Sequence, residues 1–349
     1  MLNSPNLDFL DGQVILLTGG TGSLGKTITR ILLEVSKAKK IIIFSRDELK
    51  QFEMQNQFAE IDTQDRLRYF LGDVRDKERC MMAFKSVDFI IHAAALKQVP
   101  AAEYNPFEFI RTNILGAQNV IEASIERNVK QVMALSTDKA ANPINLYGAT
   151  KFCSDKLFVA GNQYSGQQNT RFSVVRYGNV VGSRGSVIPF FLKERNSGVL
   201  PVTHKDMTRF WISLEQAANF VLNCKRIMKG QEIFIPKIPS MKIIDLANFM
   251  SQGKCKIEEI GIRPGEKMHE VMVPEETSRT TLEFDEFFII KPSVKMHNIP
   301  DYWEKGSMCQ EGFQYSSDSN TQWLNNKDVL SEIKNLNLPG TQDFLNSLG

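Results

Sequence analysis

The sequence predicts an α/β protein: a doubly wound parallel sheet followed by a smaller C-terminal α/β lobe. Two observations predict it. Through the first half, short apolar runs alternate with amphipathic segments of helical length, and a glycine-rich turn joins the first run to the first helix. Beyond about residue 178 that rhythm gives way to loops and shorter elements. Strands buried on both faces read as continuous apolar runs, which is the signature of a parallel sheet covered by helices.

The elements follow in order. Strands are predicted at 13–18, 40–44, 67–71, 87–92, 130–136 and 171–177, and helices near 24–36, 46–60, 76–85, 105–127 and 145–164. In the first helix Leu24, Ile28, Ile31, Leu32 and Val35 share one face; in the helix near 105–127 Ile110, Ile114, Ala117 and Ile121 do. The pattern then gives a helix near 214–229, a short strand near 232–235 and a helix near 242–251, followed by the turn Arg263-Pro264-Gly265-Glu266. Residues 1–178 are read as a Rossmann-like domain and 179–290 as mainly a substrate lobe, some of whose segments return to the first domain. Residues 291–349 form a tail; Trp303 and Trp323 predict that it folds against the core or another subunit.

The turn Thr18-Gly19-Gly20-Thr21-Gly22-Ser23-Leu24-Gly25 has its glycines spaced G-x-x-G-x-x-G. Such glycines allow left-handed backbone and close approach to a ligand. The helix that follows offers unpaired N–H groups and a partial positive charge to a pyrophosphate. A dinucleotide is therefore expected on Thr18, Gly19, Gly22, Ser23, Leu24 and Gly25.

The second strand ends in Ser45-Arg46 where an NAD enzyme usually carries an acid. Arginine suits a 2′-phosphate, so NADP is expected, although Asp47 follows directly; the lesser alternative is that Arg46 only starts the next helix and faces water. Asp73 and Val74 end the third strand, where an aspartate meets an adenine amino group or simply shapes a turn. Ala93 and Ala94 supply small side chains beside the cofactor or in tight packing.

Strand five ends in Ser136-Thr137-Asp138-Lys139, and Tyr147 and Lys151 follow at i and i+4 on a helix. An ammonium beside a phenol favours the phenolate, which takes a proton from a substrate alcohol as hydride leaves for a nicotinamide.

These motifs resemble the extended short-chain dehydrogenase/reductase family. Within it the chain is similar, from about residue 10 to at least 290, to the UDP-N-acetylglucosamine 4,6-dehydratases that invert C5. The resemblance is carried by Ser45-Arg46-Asp47-Glu48, His92-Ala93-Ala94-Ala95-Leu96-Lys97, Ser136-Thr137-Asp138-Lys139, Arg176-Tyr177-Gly178-Asn179-Val180-Val181-Gly182-Ser183-Arg184-Gly185-Ser186, Met207-Thr208-Arg209-Phe210-Trp211 and Arg263-Pro264-Gly265-Glu266-Lys267. It implies a place at the start of pseudaminic acid biosynthesis for flagellin glycosylation, and a homo-oligomer, dimer or hexamer.

It also implies roles. Tyr147 takes the C4 hydroxyl proton, Thr137 bonds the C4 oxygen, and Lys151 holds the cofactor ribose. Lys139 is the expected base at C5 and Asp138 the proton donor to the C6 oxygen. A base must be neutral, and free lysine has a pKa of about 10.4. Lys151 and the oxidised nicotinamide, with desolvation, are expected to depress Lys139, against any opposing Asp138 carboxylate. Substrate contacts are expected from Lys97 (shared with the cofactor), Asn179, Arg184, Val187, Arg209, Arg263 and Glu266, with the arginines on the diphosphate. Asn113 is a structural candidate. Two readings from other classes are a UDP-sugar 4-epimerase, which needs no C5 base, and a cofactor-binding regulator without turnover; a related dehydratase feeding capsule or O-antigen sugars is a third variant.

Composition excludes much else. Lysine and arginine number 42 against 40 acids, giving a net charge of +2 and no general reason to bind nucleic acid or membrane. The five cysteines show no C-x-x-C, which suits reduced thiols in a cytoplasm, and the four histidines form no close pair, so no metal site is expected. The N-terminus, with Asp8 and Asp11, lacks signal-peptide character.

Overall fold

The structure, a computed structural model, describes residues 1–3, 6–166, 169–182, 186–292, 301–336 and 338–348. Strand β1 (Val14–Thr18) leads to helix α1 (Ser23–Val35), β2 (Lys40–Ser45) to α2 (Glu48–Phe58), and β3 (Leu67–Leu71) to α3 (Lys77–Ala83). After β4 (Phe89–His92) come α4 (Val99–Tyr104), α5 (Pro106–Phe109), a π-helical turn (Ile110–Leu115) and α6 (Gly116–Glu126). β5 (Gln131–Thr137) passes through a 3-10 turn (Asp138–Ala140) into α7 (Leu146–Tyr164), and then β6 (Arg171–Tyr177).

These strands lie parallel in the order β3-β2-β1-β4-β5-β6. Alternation along each strand builds a core on both faces. Ile15, Leu17, Ile41, Ile43, Phe89 and Ile91 enter one cluster; Leu16, Phe44, Ile90, Val132 and Ala134 enter the other. The strand order reverses between β1 and β4, so a crevice opens at their carboxyl ends.

The second half continues with β7 (Asn179–Val180), α8 (Val187–Glu194), β8 (Val199–Val202), β9 (Thr208–Ile212) and α9 (Leu214–Ile227). Then come β10 (Ile233–Pro236), β11 (Ser240–Lys242), α10 (Ile243–Ser251), β12 (Lys256–Glu259) and β13 (Val271–Val273). Next are β14 (Thr281–Glu283), β15 (Phe287–Ile290), β16 (Ser307–Met308), β17 (Tyr315–Ser316), α11 (Asn326–Lys334) and α12 (Thr341–Asn346). β10 joins β6 in parallel; β15, β14 and β16 then extend the sheet antiparallel to ten strands. The lobe has its own core, in which α8 and α10 pack with Val329, Ile333 and Phe344 of the tail.

Two details differ from the sequence pattern. Val35 is 47% exposed, because α1 ends there and Ser36 turns the chain away. The predicted helix over 105–127 contains the π turn, whose wider ring shifts the phase; Thr112 and Asn113 turn inward while Ile110 and Ile114 are half-buried. The tail packs on its own chain: Trp303 is buried in the sheet core, whereas Trp323 is 41% exposed. Among the described residues no helix is long and apolar enough to cross a membrane.

Candidate active site

A cavity of about 620 Å³ runs along the carboxyl ends of the strands, from the start of α1 to the end of β5. Gly19, Gly22, Ser23, Leu24 and Gly25 line one end. Gly19 has φ +65°, and a Cβ there would lie 2.8 Å from the Ala94 Cα; a Cβ on Gly25 would lie 2.4 Å from the Gly20 carbonyl oxygen. Only glycine lets these three stretches of backbone close into a cradle. Gly22 caps α1 with no side-chain hydrogen bond, which leaves first-turn N–H groups to the cavity. The cradle thus fits a pyrophosphate. Thr18 does not line the cavity: it is fully buried, and its Oγ1 meets His92 Nδ1 at 2.8 Å and accepts the Ala94 N–H.

At the far side Ser45, Arg46, Asp73 and Val74 line the wall. The Arg46 side chain is 55% exposed and reaches within 3.8 Å of Asp73. Asp73 accepts from the Arg75 backbone at 3.0 Å and its guanidinium at 2.7 Å, so it shapes a turn as well as facing the cavity. Burial acts to raise its pKa, but the bonds to Arg75 and the charges of Arg75 and Arg46 prevail and hold it below the usual range. Asp47 is the N-cap of α2 and accepts the Lys50 N–H at 3.0 Å.

The segment Ala93–Lys97 forms the floor. Asn113, carried inward by the π turn, clamps it: Asn113 Oδ1 accepts the Leu96 N–H and its Nδ2 donates to the Leu96 carbonyl, both at 2.9 Å. The same Nδ2 donates to Thr150 Oγ1 at 3.0 Å, tying the floor to the helix that carries Tyr147 and Lys151.

Thr137, Asp138, Lys139, Tyr147 and Lys151 all line the opposite end of the cavity. Thr137 Oγ1 donates to Asp138 Oδ1 at 2.8 Å. Lys139 Nζ lies 3.1 Å from that same oxygen and 3.0 Å from Glu270 Oε1. Burial pulls the Lys139 pKa down, but Asp138 and Glu270 more than offset it, and the net shift is upward. This direction is opposite to the depression expected: Asp138 is the first contributor to the rise, and Glu270, a second carboxylate that the sequence did not reveal, adds to it. Tyr147 is pushed up to about 12 by burial, against the opposing pull of Lys139 and a bond with Thr137. The cation that favours its phenolate is thus Lys139. Lys151 is held below its usual value by burial, with Asp155 opposing. Asp155 in turn accepts from Ser136 at 2.8 Å and pairs with the buried Arg176 at 3.1 Å.

Of the residues expected to meet substrate, Lys97 and Asn179 line the cavity. Desolvation, with Lys139 second, holds Lys97 below its usual value. Val187 is half-buried at the start of α8, packed on the lobe core. Arg263 is exposed, and Arg184 lies outside the described residues. Arg209 and Glu266, expected as separate contacts, bond each other at 3.2 Å, and Arg209 also donates to the carbonyls of Thr208, Lys267 and Met268.

Sequence reasoning missed Glu270 and Lys267. Lys267 donates to the Ala141 carbonyl at 2.5 Å, and Asn145 donates to the Gly265 carbonyl at 2.7 Å, so the strap Arg263–Glu270 is sewn onto the segment between β5 and α7. Both residues continue the Arg-Pro-Gly-Glu run, but spacing alone does not say which charges turn inward.

A sequence model of a family described as polysaccharide biosynthesis protein matches residues 15–292. A protein of Campylobacter jejuni (strain 81-176) named UDP-N-acetylglucosamine 4,6-dehydratase (inverting) is 56% identical over 93% of this chain and 98% of its own length. A Rickettsia canadensis protein named UDP-glucose 4-epimerase is 37% identical over 94% of this chain and 97% of its own. The X-ray structure of Pen from Bacillus thuringiensis superposes with a TM-score of 0.85 at 36% identity, over 96% of this chain and 99% of that one.

Proposed function

We propose, given that the chain belongs to the polysaccharide biosynthesis protein family, within the extended short-chain dehydrogenase/reductases, that it is a lyase that dehydrates UDP-N-acetylglucosamine across C5 and C6 with inversion at C5. The products are UDP-2-acetamido-2,6-dideoxy-β-L-arabino-hex-4-ulose and water. The observation that carries this reading is the Asp138–Lys139 pair, 3.1 Å apart, in the same cavity as Tyr147 and Lys151.

A nicotinamide dinucleotide, held by the glycine cradle and Lys151, would supply reversible hydride acceptance when bound, taking the C4 hydrogen and giving it back at C6 while a proton re-enters C5 from the opposite face. The chain's own residues manage the protons. Tyr147 takes the proton of the C4 hydroxyl, with Thr137 bonded to the phenol. A 4-ketone then acidifies the C5 hydrogen. Lys139 removes that hydrogen and Asp138 protonates the departing C6 oxygen. One proton moved from Lys139 Nζ to Asp138 Oδ1 prepares both at once, leaving a neutral amine and a neutral carboxyl group. Closure over a substrate favours that neutral pair, because excluding water penalises the charged forms.

The finer points are part of the same proposal. NADP is the cofactor, supported by Ser45 and Arg46 on the wall and by the lack of an acid at strand two's end. Lys97 and Asn179 contact the nucleotide sugar, and Arg184, Val187, Arg209, Arg263 and Glu266 complete the site when the lobe closes. The reaction opens pseudaminic acid biosynthesis for flagellin glycosylation, in the cytoplasm. The enzyme is a homo-oligomer, supported by exposed Tyr104 (88%) and Phe107 (61%).

The relative named as an epimerase favours a second reading, 4-epimerisation on the same scaffold. Incubation with UDP-N-acetylglucosamine in heavy water, followed by NMR, separates the two. Dehydration gives a 6-deoxy-4-keto sugar with deuterium at an inverted C5. A product of unchanged mass that keeps its C6 oxygen overturns the dehydratase reading.

A further inference from the structure

Lys139 has a second carboxylate, and it comes from the other half of the chain. Glu270 ends the strap that precedes β13, and its Oε1 stands 3.0 Å from Lys139 Nζ. Its side chain is only 2% exposed. The other oxygen, Oε2, is buried without a hydrogen-bond partner among the described residues. Arg209 Nε approaches the first oxygen at 3.9 Å. A buried carboxylate left half-satisfied is a poor way to hold a fold together, since an apolar side chain of similar size serves as well or better. Its position on the ammonium is the feature that uses the charge.

The backbone of Glu270 is fixed from behind by the tail. The Ser317 N–H donates to the Glu270 carbonyl at 2.8 Å, and the Glu270 N–H donates to Ser317 Oγ at 2.9 Å. Ser317 Oγ also meets Thr208 Oγ1 at 2.7 Å, which anchors it to β9. The segment around β17, which pairs with β13, therefore holds the strap at the site.

We propose that Glu270 is a positioning residue of this active site: pinned by Ser317 of the tail, it holds the Lys139 ammonium at the end of β5 and governs how readily that group releases its proton. The use of that proton rests on the dehydratase reading; the contact itself does not. The charged and titratable groups facing Lys139 are Asp138, Glu270, Arg209, Lys97, Lys267 and Tyr147. Of these only Asp138 and Glu270 bond its Nζ. An opposite charge at this range holds an amine charged to higher pH by about 1–3 units.

The test is competitive acetylation of the full chain across pH, reading the Lys139 peptide by mass spectrometry. In the wild type Lys139 becomes reactive only above the pH at which exposed lysines do. Glu270→Gln moves that midpoint down by about one unit or more, and Glu270→Asp keeps it near the wild-type position. The rising limb of kcat against pH moves with it. An unmoved midpoint in folded Glu270→Gln overturns the proposal. If that variant does not fold, Ser317→Ala, which unpins the Glu270 backbone, takes its place: a lowered Lys139 midpoint supports the proposal and an unmoved one overturns it. Labelling does not depend on turnover, so absence of a 6-deoxy-4-keto product defeats the dehydratase reading and leaves this outcome to stand on its own.

Discussion

Asp138 Oδ1 takes two contacts at once: the Thr137 hydroxyl at 2.8 Å and the Lys139 ammonium at 3.1 Å. Neighbours in sequence, Asp138 and Lys139 meet as an ion pair because the 3-10 turn after β5 bends both side chains into one cavity. Lys139→Ala removes the proposed C5 base and leaves Asp138 without its cation. Dehydration of UDP-N-acetylglucosamine is expected to fall by about 10²–10⁴-fold or more, together with exchange of the C5 hydrogen in heavy water. Normal exchange in this variant removes Lys139 from the base role.

Tyr147→Phe is expected to fail one step earlier. In the proposed mechanism its phenol takes the C4 proton, so stopped-flow absorbance should show cofactor reduction slowed by about 10²–10⁴-fold. Rapid formation of a 4-ketone by this variant excludes the tyrosine.

Arg46→Ala tests cofactor choice. A charged hydrogen bond is worth about 1.5–3 kcal/mol, so the Kd for NADP is expected to rise by about tenfold or more while that for NAD changes little. Equal weakening of both cofactors assigns Arg46 to the Asp73 ion pair alone.

His92 predicts a pH effect on stability. Burial first, and the Lys151 charge second, lower its pKa from 6.5 to about 3. Between those values the unfolded chain takes a proton that the folded one refuses. Stability is therefore complete above about pH 6.5 and declines below it by about 1.4 kcal/mol per pH unit. Tm measured from pH 7.5 to 5 should fall more steeply in the wild type than in His92→Gln. Parallel slopes refute the assignment.

Asn113→Ala strips the Leu96 backbone and Thr150 Oγ1 of a shared partner. Each buried group left unpaired costs about 1–3 kcal/mol. A lower Tm is expected, with weaker cofactor binding as the Ala93–Lys97 floor loosens. Unchanged affinity limits Asn113 to stability.

Local chemistry made much of this protein legible from its residues. Apolar runs gave the six parallel strands because strands covered on both sides must be apolar throughout. Glycine spacing gave the cradle, since only glycine fits where Gly19 meets Ala94 and Gly25 meets Gly20. Thr137, Asp138, Lys139, Tyr147 and Lys151 were readable because one strand end and one helix face suffice to gather them.

What the order of residues does not contain is which distant groups meet. Glu270 stands 131 positions beyond Lys139 in the chain, and only the docking of the strap brings them to 3.0 Å. That contact adds to Asp138 in raising Lys139, against the direction expected. The mutual pairing of Arg209 and Glu266, and the inward turn of Asn113 in a π-helical segment, have the same origin. A charge takes its state from whatever surrounds it in space, and that neighbourhood exists only once the chain has folded.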